Sequence, residues 1–150
     1  MELKRLIPLV ALIMCLCSIP VQAQVNPYQE VIENFTADEL DMLLSMTWYE
    51  ANNQSINFGQ RAVIEVTLNR ILSDEFPNTL TGVLSQKGQY ATWGAIKRNP
   101  KHYGSDQIDA LQLVYEEIPV LPDTGYLFFS RGKQGWCKRH VHIEQHWFGG

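Results

Sequence analysis

The sequence predicts an α+β domain, mainly helical, closed by a small antiparallel β element near its C-terminal end. Three observations predict it. Apolar residues recur at helical spacing in three stretches between Ala37 and Ile118. Short strand-like runs follow only after Pro119 and Pro122, at residues 126–129 and 140–143. The chain has 150 residues, 45% hydrophobic and 19% charged, which suits one domain with a packed core. Helices first and strands last give the segregated class.

Lys4 and Arg5 precede an almost wholly apolar run over residues 6–19, and Pro20 breaks it. Val21 and Ala23 then fill the −3 and −1 positions of a cleavage site. This order predicts a secretory signal peptide over residues 1–23 and export to a periplasm, cell wall or medium. A retained signal anchor is the alternative; the run is short for a membrane span. Removing the first 23 of the 150 residues leaves 127, takes away Glu2, Lys4 and Arg5, and moves the net charge from −4 to −5. Cys137 alone survives of the three cysteines, so core packing has to hold the fold without an internal disulfide. An acidic chain lacks the basic field of an electrostatic nucleic-acid binder. Lys133, Lys138 and Arg139 form the one local basic cluster noted near the end.

Residues 24–35 read as a lead-in, with Pro27 opposing an early helix. Thr36 and Glu39 then form a capping box, with Phe35 and Leu40 at the staple positions. Leu40, Leu43, Leu44, Thr47 and Ala51 continue at helical spacing, which predicts a helix over 37–51. A second helix is expected from about Phe58 to Leu72. It is apolar around most of its circumference and therefore central, so Arg61, Glu65, Asn69 and Arg70 need partners inside. Thr79 is placed to cap one short turn through Leu84. Residues 87–103 read as a long functional loop carrying Tyr90 and Trp93. Ser105 is expected to cap a third helix, with Ile108, Leu111, Tyr115 and Ile118 as its stripe.

Glu50 is the leading candidate for chemistry. It lies at the edge of the first helix's apolar stripe, near the helix C-terminus and beside Trp48 and Tyr49. Burial and the negative end of the helix dipole both raise a carboxyl pKa, as a general acid near neutrality requires. An ordinary paired or solvated boundary glutamate is the plain alternative. Glu65 reads as an ion-pair partner of Arg61 or of a neighbouring element. Cys137, His140, His142 and His146 crowd into ten residues, but the zincin order is broken because Ile143 follows His142 where a glutamate belongs. Structural histidines are the simpler reading, and no metal or cofactor is expected. Cys137 lacks the helix-start context of a thiol hydrolase nucleophile.

An ordered series of motifs adds to this. It comprises Trp48-Tyr49-Glu50-Ala51, Gly59-Gln60-Arg61-Ala62-Val63, Val66-Thr67-Leu68-Asn69-Arg70, Phe76-Pro77-Asn78-Thr79, Gln89-Tyr90, and Ile143-Glu144-Gln145-His146-Trp147-Phe148. From Leu40 to Phe148 the chain resembles the SleB-like cell wall hydrolases, the spore-cortex-lytic enzyme family. The resemblance implies a lysozyme- and transglycosylase-like catalytic domain over residues 36–150. It implies peptidoglycan glycan strands as substrate, cut between N-acetylmuramic acid and N-acetylglucosamine, with Glu50 as the catalytic acid and base. In this reading Gln89, Tyr90, Trp93 and His146 bind substrate: the two aromatic rings stack on sugars, Gln89 bonds acetamido groups, and His146 positions Glu50 or a sugar hydroxyl. Muramidase-type hydrolysis and a non-catalytic exported peptidoglycan-binding module are the alternatives. The sequence departs from the family where a second glutamate usually follows the first; Gln54 is the nearest polar residue there. It departs again at Gln145, where the family has asparagine, and in a longer connection before Gly59.

Overall fold

The computed structural model describes residues 25–150, so the expected signal peptide over residues 1–23 lies outside the described residues. Among the described residues six helices precede the strands: α1 (Gln29–Glu33), α2 (Ala37–Ala51), α3 (Gly59–Leu72), α4 (Leu80–Ser85), α5 (Trp93–Arg98) and α6 (Ser105–Glu116). Three strands follow: β1 (Phe128–Ser130), β2 (His140–Ile143) and β3 (His146–Gly149). The strands form one antiparallel sheet with β3 in the middle. The expected α+β class and the mainly helical architecture with a small C-terminal sheet are what the structure has.

The capping box fixes the start of α2 as the sequence predicts. Thr36 accepts from the Glu39 amide, and the Glu39 carboxylate accepts from the Thr36 amide at 2.9 Å. α3 is the central helix: residues 59 to 70 are all buried. It packs against α2, α4 and α6. Its polar residues form a seam at i, i+4 spacing that grips the irregular segment leading into β1. Arg61 donates to the Glu117 carboxylate and to the Ile118 carbonyl, both at 2.7 Å. Glu65 accepts from the amides of Val120 and Leu121 at 2.9 and 2.8 Å. Asn69 donates to the Tyr126 carbonyl, and Arg70 to that of Leu127. Buried backbone outside regular structure must find partners, and here one helix supplies them.

Four expectations are corrected. Pro27 does not prevent an early helix: α1 begins right after Pro27 and Tyr28, and Tyr28 is buried in the core with its hydroxyl donating to Asn69 at 2.9 Å. Proline restricts the residue before it, not the turn after it. The 87–103 stretch contains α5, with Thr92 at its N-cap position. The N-cap of α6 is Gly104 rather than Ser105, because Gln107 reaches back to accept from the Gly104 amide at 2.8 Å. The buried face of α6 is Gln107, Ala110 and Val114, one position off the expected stripe; Ile108 is 49% exposed. Small Ala110 lets the helix approach, and Gln107 donates to Gln60 inside the core at 3.0 Å.

The sheet has two unlike faces. Phe129, Phe148 and Val141 align across the three strands and turn toward the core. Ser130, Trp147 and His142 align on the opposite face by strand alternation. A two-residue turn joins β2 to β3, with Glu144 in the left-handed region at φ 50°.

Candidate active site

Glu50 sits in the last turn of α2, and that turn carries no basic residue to offset the helix dipole. Its side chain is partly buried. Thr92, at the start of α5, donates to Glu50 Oε1 at 2.5 Å. Desolvation is the largest influence on this carboxyl and raises its pKa; the Thr92 hydrogen bond and the Arg70 charge pull the other way. The result is a carboxyl held above the usual range by its surroundings, with one hydroxyl fixing its orientation.

The wall behind it is a buried polar and aromatic cluster. Arg70 is 2% exposed. Its guanidinium lies 5.0 Å from the centroid of the Tyr90 ring and 5.2 Å from that of Phe76. Burial lowers the Arg70 pKa, while Tyr90 and Glu50 support its charge. The Tyr90 hydroxyl pairs with Thr67 at 2.8 Å, and its ring lies 6.0 Å from that of Phe129 on the sheet's inner face.

The residues expected to contact sugars are unequally exposed. Tyr90 is only 4% exposed and packed between Arg70 and Phe129, so neither ring face is open to a sugar; it supports the site from behind. His146 is likewise buried, because alternation along β3 turns it inward with Phe148. Gln54 donates to His146 Nδ1 at 2.8 Å, which leaves a neutral imidazole, and burial lowers its pKa further from the charged form. Its ring nitrogen thus contacts the α2–α3 loop. Trp93 is half-buried at the first position of α5, beside Thr92. Gln89 is half-buried in the preceding turn.

The loop that follows Glu50 is clamped by the β2–β3 turn. Glu144 accepts from the Ser55 amide at 2.9 Å and from the Ser55 hydroxyl. Asn53 donates to Gln145 at 3.1 Å. A Cβ on Gly59 would meet Glu144 Oε2 at 2.5 Å and Gln54 Cβ at 2.6 Å, so this corner requires glycine. The motif over residues 143–148 contains Glu144 but carries no signal that would pair it with Ser55. A second feature also escaped the sequence. His102 stacks on Tyr49 and meets Trp48 edge-on at 4.0 Å, which builds a half-buried aromatic group next to Glu50 in the chain. A histidine 54 residues downstream carries no periodic signal that would pair it with this helix end.

Glu65 and the histidines resolve separately. Glu65 does not form its ion pair with Arg61, which turns to Glu117 instead. His140 donates to the Gln134 carbonyl and His142 stacks on Trp147. Among the described residues no three His, Cys, Asp or Glu side chains converge as metal ligands, and no helix is long and apolar enough to cross a membrane. Four surface hollows of about 240–460 Å³ among the described residues are not lined by Glu50. One of about 460 Å³, for example, is lined by Asn69, Ser73, Glu75, Thr124 and Gly150.

The helical lobe thus presents one oriented, desolvated carboxyl at a helix end, with a small sheet behind it. Residues 45–149 match the family model for the cell wall hydrolases, and the chain belongs to that family. Two solved structures share the fold. The catalytic domain of the germination-specific lytic transglycosylase SleB from Bacillus anthracis superposes with a TM-score of 0.63 at 20% identity, covering 78% of this chain and 98% of that one. The catalytic domain of the Bacillus cereus SleB protein superposes with a TM-score of 0.61 at 18% identity, covering 77% and 92%. No curated protein sequence matches significantly.

Proposed function

We propose that this chain is an exported lytic transglycosylase that cuts peptidoglycan glycan strands between N-acetylmuramic acid and N-acetylglucosamine, with Glu50 as acid and then base. The observation that carries the reading is the state of Glu50: partly buried, raised in pKa by desolvation, and oriented by Thr92. Membership of the cell wall hydrolase family and the likeness to a structure titled as a lytic transglycosylase support it.

The protonated Glu50 donates its proton to the bridging oxygen, and the bond from that oxygen to muramoyl C1 breaks. The N-acetylglucosamine side leaves with a free hydroxyl. Positive charge on C1 is met by the substrate's acetamido oxygen. Glu50, now a carboxylate, takes the proton of the muramoyl 6-hydroxyl, and O6 closes on C1 as a 1,6-anhydro ring. Glu50 ends protonated, and no water is consumed. One carboxyl suffices, which fits the absence of a second glutamate at the Gln54 position, where the side chain is committed to His146. A pKa near the working pH serves both halves of the cycle. Trp93 and Gln89 flank Thr92 and are the sugar-contacting candidates; Tyr90 and His146 hold the frame.

Release of soluble fragments from purified peptidoglycan tests this. The wild-type chain should release them, and Glu50→Gln should lower the rate by about 10²-fold or more while keeping the fold. Full release by Glu50→Gln would refute the assignment. Binding to sacculi with no fragment from either protein would indicate a non-catalytic module.

A further inference from the structure

The loop between β1 and β2 and the outer face of the sheet form a feature that the reaction at Glu50 does not use. Residues 131–142 hold four Lys or Arg and no Asp or Glu, in a chain of net charge −4. The loop is built, not loose. Gln134 is 4% exposed and donates to Ser130 at 2.9 Å and to the Trp147 carbonyl at 3.1 Å. His140 donates to the Gln134 carbonyl at 2.6 Å. The loop rests on Gly149, where a Cβ would meet Cys137 Sγ at 2.6 Å.

This anchoring presents aromatic surface to solvent. Trp136 is 74% exposed, with its ring edge-on to Phe128 at 6.5 Å. Trp147 stacks on His142 at 4.6 Å, and Lys133 lies 5.5 Å from the Trp147 ring centroid. Arg139 is spent on Asp123 at 2.6 Å, whereas Lys133 and Lys138 are exposed and make no ion pair among the described residues. The exposed Trp136 indole next to unpaired ammonium groups suits a polymer with apolar sugar faces and carboxylates. Strand alternation puts Trp147 and His142 on the side of the sheet opposite Phe129 and Phe148, and the loop residue Lys133 lies over Trp147 on that side.

We propose that Trp136 and Lys133 form a second peptidoglycan-holding surface, in which the Trp136 indole stacks on a sugar ring and the lysines pair with stem-peptide carboxylates. It rests on the substrate class proposed above and assigns that polymer a contact away from the cut. It would keep the enzyme on an insoluble wall between cuts, so it matters for sacculi and not for short soluble glycans.

The test compares Glu50→Gln chains with and without Trp136→Ala or Lys133→Ala, by co-sedimentation with purified sacculi. Trp136→Ala should weaken binding about tenfold. Lys133→Ala should weaken it about threefold and flatten its salt dependence. With Glu50 intact, both variants should melt like the parent and cleave a peptide-free tetrasaccharide at the parent rate. Unchanged sedimentation of Trp136→Ala overturns the proposal. So does a parallel loss of tetrasaccharide cleavage, or equal displacement of parent and Trp136→Ala by poly-glutamate, which would mean charge alone. Trp136-dependent binding without any cleavage by the wild type would sink the reaction and leave this surface standing. Cleavage with Trp136-independent binding would do the reverse.

Discussion

At the scale of single residues, the chemistry depends on two opposed influences on Glu50. Desolvation raises its pKa, and the Thr92 hydroxyl and Arg70 charge restrain it. Thr92→Val removes the only one of these that can be deleted without disturbing the core. The prediction is that the basic limb of the kcat/KM profile moves to higher pH, because the acid form of Glu50 then persists further. A limb that stays in place would separate Thr92 from the proton transfer. Glu50 itself was legible in the sequence, since helix position and apolar neighbours are local properties. The burial of Tyr90 and His146 was not legible, because burial is not a local property. Nothing in a glycine-bearing stretch says that Arg70, twenty residues earlier, will cover the Tyr90 ring.

At the scale of elements, the two central helices were readable from capping and periodicity, and their contacts were not. α2 spans the expected residues because Thr36 and Glu39 sit next to each other in space whatever the rest of the chain does. The polar seam of α3 depends on where residues 117–127 lie, and that is a tertiary fact. The same holds for the clamp between the β2–β3 turn and the α2–α3 loop. Gly59→Ala should cost about 1–3 kcal/mol in urea unfolding, since the added methyl meets both Gln54 and Glu144. Glu144→Gln keeps the shape but replaces an acceptor-only group, and should cost about 1 kcal/mol. If the clamp sets the end of α2, this variant should also lower kcat more than it raises KM. Equal stability of both variants with wild type would show that the contact carries no weight.

At the scale of the whole molecule, a small sheet closes over a helical core with one buried carboxyl that is not part of the proposed site. Desolvation raises the Glu65 pKa to about 7, against the Val120 and Leu121 hydrogen bonds and the Arg61 charge. The unfolded value is 4.5, so the native state holds the proton more tightly. That contribution to stability is complete below pH 4.5 and is lost as pH rises toward 7. Denaturant midpoints should therefore fall over this window, and Glu65→Gln, which does not titrate, should flatten that fall. An unchanged slope would place the titration elsewhere. The class of the fold was visible in the order of helices and strands. The reach of the core back to Tyr28 was not, because it hangs on one hydroxyl meeting Asn69 across 41 residues.

The central claim is that one protonated carboxyl cleaves the glycan without water. Mass spectrometry of the fragments released from purified peptidoglycan by wild type and by Glu50→Gln tests it most directly. The account predicts anhydromuramoyl ends, one water lighter than hydrolysed ends, from the wild type and almost none from the variant. Hydrolysed ends, or the same anhydro yield from Glu50→Gln, would contradict it.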